Sequence, residues 1–104
     1  MQSAEIKRAE NMVEYQEGSI VSKTLVDKET GSITLFAFAA GQSLSEHTAP
    51  YEALVQVLDG SAEIIIAGQT YELNAGEMIL MPADIPHAVK AEEKFKMMLT
   101  MIKE

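Results

Sequence analysis

The chain has 104 residues, 47% of them hydrophobic and 23% charged, which sets aside intrinsic disorder and leaves room for one domain with one modest core. It has no cysteine, so disulfides and thiolate metal sites are excluded. The formal net charge of −8 disfavours nucleic acid and anionic membranes as partners, since either would be repelled.

Residues 1–12 mix charge with alanine and predict a short helix or a frayed arm. The opening Met-Gln-Ser-Ala-Glu-Ile-Lys lacks the apolar stretch of a signal peptide, and no apolar run approaches a membrane span. A soluble cytoplasmic protein is expected. Ser19–Asp27 and Ser32–Ala39 are rich in Val, Ile, Thr and Phe and predict two strands, joined by a hairpin turn at Asp27-Lys28-Glu29-Thr30-Gly31. Ile33–Ala39 is apolar at both parities, the pattern of a strand buried on both faces. One face belongs to the core, and a partner chain is expected on the other. Further strands are predicted at Ala53–Leu58, Ala62–Ala67, Thr70–Leu73, Met78–Met81, His87–Ala91 and Phe95–Ile102. Turns are predicted at Asp59-Gly60, Gly68-Gln69 and Asn74-Ala75-Gly76. In the last strand Phe95, Met97, Leu99 and Met101 share an apolar face opposite Lys96, Met98 and Thr100. Short strands at regular spacing, with no convincing helix past the N-terminus, predict an all-β sandwich or barrel.

The chain's two histidines fall in two segments with a shared character. The first, Gly41–Gly60, carries Gly41, His47, Pro50, Val57-Leu58 and Gly60; the second, Gly76–His87, carries Gly76, Pro82, Pro86 and His87. The glycines permit turns at positive φ and the prolines set the loop entries. Together the two segments resemble the two signature motifs of the cupins, and they span about half the chain. The resemblance implies a single small cupin domain over residues 1–104, a double-stranded β-helix of jelly-roll type, paired as a homodimer. It also implies that His47 and His87 meet in one barrel cavity. Metal-bearing cupins place His, His and Glu (sometimes Gln) in the first motif and another His in the second. The matching positions here are His47, Ala49, Ala53 and His87. Asp84 stands where glycine is usual, and Ala91 where asparagine is usual.

Two imidazoles alone provide neither the ligand count nor the charge neutralisation that zinc or a non-haem iron centre needs. A third metal ligand has two candidates nearby, Glu52 and Gln56, and Tyr51 is a candidate contact for a small-molecule ligand. Glu52 precedes the usual carboxylate position by one residue, so a regular strand turns it to the opposite face unless a bulge re-aims it. Tyr51 has the parity of Ala49 and Ala53 and is expected to point inward, where a phenol could bind a ligand. Gln56 has the opposite parity, which favours a structural or dimer contact over a metal. Asp84 either holds the His87 imidazole or makes a turn, and the turn is preferred. The methionines Met78, Met81, Met97, Met98 and Met101 are expected to fill the core or line the cavity as an adaptable apolar wall rather than to form a copper site.

Two functions from different classes follow. The first is a binding barrel that takes a small molecule through His47, His87 and Tyr51. The second is a metal-dependent enzyme, of dioxygenase, isomerase or decarboxylase type, acting on a small organic acid or sugar derivative. It would use His47 and His87, with Glu52 or Gln56 as further ligands, on zinc, iron, nickel, manganese or copper. Metal-free acid/base catalysis by either histidine is a third reading.

Overall fold

Period-two alternation of apolar and polar residues buries one side of a strand, and this chain alternates along most of its length. In the computed structural model, which describes residues 1–103, eight strands form: β1 (Ile20–Lys28), β2 (Gly31–Phe38), β3 (Ser43–His47), β4 (Glu52–Ile66), β5 (Gln69–Asn74), β6 (Met78–Met81), β7 (His87–Lys90) and β8 (Phe95–Ile102). Glu104 lies outside the described residues. Every strand pairing is antiparallel. One sheet has the order β1-β2-β8-β4-β6, and the other β5-β4-β7-β3. They form the curled wall of an all-β barrel.

The 15-residue strand β4 belongs to both sheets. Its first half pairs with β6 and β8, its second half with β5 and β7. The sequence predicts two strands here with a turn at Asp59-Gly60, but the structure has one strand with a bulge between Val57 and Asp59. Gly60 explains the difference. It adopts φ +75°, and a Cβ there would lie 2.4 Å from the Lys94 carbonyl oxygen. The glycine lets the strand bend at close backbone approach, so one strand turns the corner that a loop would otherwise make.

Phe38, Val55, Val57, Ile64, Phe95 and Met97 are fully buried between the two sheets. Phe38 stacks on Phe95 with ring centroids 4.6 Å apart. Each such side chain contributes roughly 1.5–3 kcal/mol by leaving water.

The outer face of β2 is covered differently from expectation. Leu35 and Ala37 are buried there beneath the chain's own N-terminal segment, with Val13, Met12 and Tyr15 packed over them. A single 3₁₀ turn at Ala9–Asn11 shapes that segment. It is tied down by Tyr15, whose hydroxyl donates to Asp59 Oδ2 at 2.6 Å, and by Lys96 Nζ, which donates to the Glu10 carbonyl at 2.5 Å. No helix of the described residues is long and apolar enough to cross a membrane.

Candidate functional site

The polar run Ser43-Leu44-Ser45-Glu46-His47 forms edge strand β3, which among the described residues pairs only with β7 and is largely exposed. Its register places His47, the last residue of β3, directly opposite His87, the first residue of β7. Directly opposed residues project on the same face of a sheet. The two imidazoles therefore meet, with Nε2 to Nε2 at 3.1 Å and ring planes inclined at 72°.

The other nitrogen of each ring is already committed. His47 Nδ1 lies 2.9 Å from the Ser45 carbonyl oxygen, and His87 Nδ1 lies 3.2 Å from that of Ile85. A carbonyl oxygen only accepts, so each Nδ1 donates a proton and each neutral ring leaves a lone pair on Nε2. Two lone pairs facing at 3.1 Å repel. The arrangement is satisfied by a proton shared between the rings or by a cation that both nitrogens coordinate. The spacing suits either case: 3.1 Å is an ordinary hydrogen-bond length, and metal–nitrogen bonds of about 2.0–2.1 Å at this separation subtend about 95–100°.

The rings differ in exposure. His87 is buried, at 5% exposure, while His47 is open to solvent. Burial is the main reason the His87 imidazole protonates below its ordinary range; the Ile85 carbonyl opposes that shift and a charged His47 reinforces it.

Both rings face a cavity of about 50 Å³. A water takes roughly 10–15 Å³ on this scale, so the cavity has space for only a few. The remaining wall is apolar: Phe36, Leu44, Ala49, Ala53, Met81, Val89, Met97, Leu99 and Met101. Ala53 lies between Met81 of β6 and Met101 of β8 in register.

The other sequence candidates lie elsewhere. Glu52 is exposed and pairs with Ile102 in unbroken register, so no bulge turns it inward. Gln56 is half-buried on the outer face, paired with Met78 and Met98. Tyr51 is absent from the cavity wall, and the Lys103 ammonium stands 5.8 Å from its ring centroid. Strand parity failed there because residues 48–51 form a loop, across which alternation does not carry. Asp84 makes a turn at φ +64°, and its N–H donates to the Ala49 carbonyl at 2.8 Å. That bond clasps the loops on either side of the histidines. The paired Nδ1–carbonyl bonds had no signal in the sequence, because each depends on the local path of a strand end.

The cupin domain family model matches residues 34–103. The chain belongs to the cupins. A conserved protein of unknown function from Streptococcus pyogenes is 36% identical, with a TM-score of 0.94 over 100% of this chain and 91% of that one. A cupin 2 conserved barrel domain protein from Leptotrichia buccalis is 48% identical, with a TM-score of 0.89 over 90% of this chain and 46% of its own. Among curated proteins, polyketide synthase CurC of Streptomyces cyaneus is 30% identical over 70 residues, which are 66% of this chain and 46% of that protein. This cupin thus spans about half the length of that curated relative.

Within this cupin the cavity wall carries two imidazoles, His47 and His87, among otherwise apolar side chains. Ala49 and Ala53 present methyl groups to the cavity. Among the described residues, no group of three or more His, Cys, Asp or Glu is placed to hold a metal ion. The residues present suit a cation that accepts two imidazoles without a carboxylate, and they do not suit the three-His-and-carboxylate arrangement.

Proposed function

We propose that this cupin is a binding barrel whose recognition element is the His47–His87 pair. The observation that supports this reading is the opposed Nε2 pair at 3.1 Å, with both Nδ1 atoms held by main-chain carbonyls. Both Nε2 atoms then act as acceptors, so the preferred ligand brings a cation or a hydrogen-bond donor to them. The apolar wall suits a compact ligand, and its three methionines can move to admit a slightly larger one. The test is titration of chelator-treated protein with Zn(II) and with small primary amines, beside His47→Ala. Ring-nitrogen NMR should show protonated Nδ1 and free Nε2 on both histidines before addition. If His47→Ala binds every probe as the wild type does, the reading is wrong.

A metal-dependent enzyme is the second reading, favoured by the cis spacing of the two Nε2 atoms and by solvent access at His47. There His47 and His87 would hold a Lewis-acidic ion, while the apolar wall would exclude bulk water. Elemental analysis of untagged protein, with His47→Ala as control, decides whether an ion is retained.

The chain is further proposed to act as a homodimer through the outer face of the β6-β4-β8 sheet. Met78, Leu80 and Ile102 stand there 57%, 50% and 51% exposed, beyond the part that the N-terminal segment covers. Light scattering at micromolar concentration should report a dimer, and Leu80→Asp a monomer; a monomeric wild type overturns this.

A further inference from the structure

We infer that the cavity is a soft-cation site, selective for Cu(I), made by His47 Nε2, His87 Nε2 and one or two thioether sulfurs drawn from Met81, Met97 and Met101. The inference rests on the reading that the imidazole pair receives a cation, and adds which one.

The donor inventory carries the argument. Among the described residues the cavity wall holds two imidazoles and three thioethers, with no carboxylate, hydroxyl or amide side chain. Hard divalent ions are held by oxygen; imidazole serves zinc as well as copper, and it is the thioethers that favour a soft ion such as Cu(I). Charge points the same way. The cost of burying an ion grows with the square of its charge, so a divalent ion is about fourfold more expensive than a monovalent one in this wall, where no anion neutralises it.

Placement supports the same donors. Ala53 lies in register between Met81 on β6 and Met101 on β8, so both methionines arise beside the small residue that opens the space. Met97 stands further along β8 on the face that Met101 shares. Three rotatable bonds let each thioether adapt to an ion that the strands do not pre-form a cage around. The histidines supply the rigid half of the site. Their Nδ1 bonds hold both Nε2 atoms on the cavity, 3.1 Å apart. A filled-shell monovalent ion imposes no fixed geometry and accepts this pair together with one or two sulfurs.

The test is anaerobic competition for Cu(I), held reduced by ascorbate, against a chromophoric Cu(I) chelator, with Zn(II) titrated separately. One Cu(I) per chain is expected, bound at least about a hundredfold more tightly than Zn(II). His47→Ala should weaken Cu(I) at least about a hundredfold. The combined Met81→Leu, Met97→Leu and Met101→Leu variant should weaken Cu(I) about tenfold or more, and by more than it weakens Zn(II). Copper-edge absorption on selenomethionine-labelled wild-type protein needs no substitution and should show a copper–selenium contact. Copper with only nitrogen and oxygen neighbours overturns the inference, as does Zn(II) binding as tightly as Cu(I). If Zn(II) or an amine binds in a His47-dependent way and Cu(I) does not, the soft site fails and the binding reading survives. If no probe depends on His47, both fail.

Discussion

Adding one methyl group at Gly60 tests whether the β4 corner holds the two sheets, and with them the site, in place. Gly60 sits at φ +75°, opposite Phe95 in register, and a Cβ there would meet the Lys94 carbonyl oxygen at 2.4 Å and the Phe95 Cα at 3.1 Å. Those contacts are backbone and cannot swing away. Phe95 is fully buried against Phe38, so separating β4 from β8 also disturbs the stacked pair. The left-handed conformation costs an alanine about 1–2 kcal/mol. Overpacking adds roughly 1–3 kcal/mol, and the lower entropy of the unfolded alanine chain returns about 0.4–1 kcal/mol. Gly60→Ala should therefore destabilise by about 1–4.5 kcal/mol, a fall in Tm of roughly 5–35 °C for a domain this size. Gly76→Ala is the control: its φ is +91°, but a Cβ there meets nothing within 4 Å, so it suffers strain without overlap. Urea unfolding of both variants, followed by far-UV circular dichroism, separates the two effects. Should Gly60→Ala fall within about 0.5 kcal/mol of Gly76→Ala, the close approach does not matter and the account of the corner is refuted.

Ala53→Glu places a carboxylate in the buried cavity beside both imidazoles. It should destabilise the metal-free protein by about 2–4 kcal/mol through overpacking and polar burial. Zn(II) at a hundredfold excess over its Kd should restore about 2.7 kcal/mol; thermal melts with Zn(II) and with EDTA should show a larger shift for the variant than for the wild type, and equal shifts would count against the cavity assignment. For His87 the folded-state pKa lies below its unfolded value of about 6.5. Well above pH 6.5 the ring is neutral in both states. As pH falls below 6.5 the unfolded chain takes up the proton first, so stability declines until the folded pKa is passed. Chelator-treated wild type should lose stability in urea on this limb and His87→Gln should lose less; parallel profiles would show that His87 does not cause it. Burial, then the Asp59 hydrogen bond and charge, push the Tyr15 phenol above its usual range. Alkaline absorbance titration should show a late-ionising tyrosine that Tyr15→Phe removes. Loss of that hydrogen bond should cost about 1 kcal/mol in urea, and an unchanged midpoint would mean that it does not hold the N-terminal segment.

Much of this fold was written in short-range patterns. Period-two alternation placed Ala53, Val55 and Val57 on the buried face of β4, and Phe95, Met97, Leu99 and Met101 on the inward face of β8, because side-chain direction in a strand depends only on parity. The motif residues from Gly41 to His87 were enough for the cupin family, since turn glycines and prolines act through local backbone geometry. Parity gave out at the breaks. Tyr51 left the expected face because a loop precedes β4, and the Asp59-Gly60 turn became a bulge because Gly60 could meet the β8 backbone closely. The apolar outer face of β2 required a cover, but only the folded chain showed the N-terminal segment supplying it. Sequence alone likewise identified two histidines, an absent carboxylate and several methionines. The cross-strand register decided that the two Nε2 atoms would face each other at 3.1 Å. Carbonyls two residues before each ring decided which nitrogen was free. Those are distances between residues far apart in the chain, and they are set by how whole strands pack.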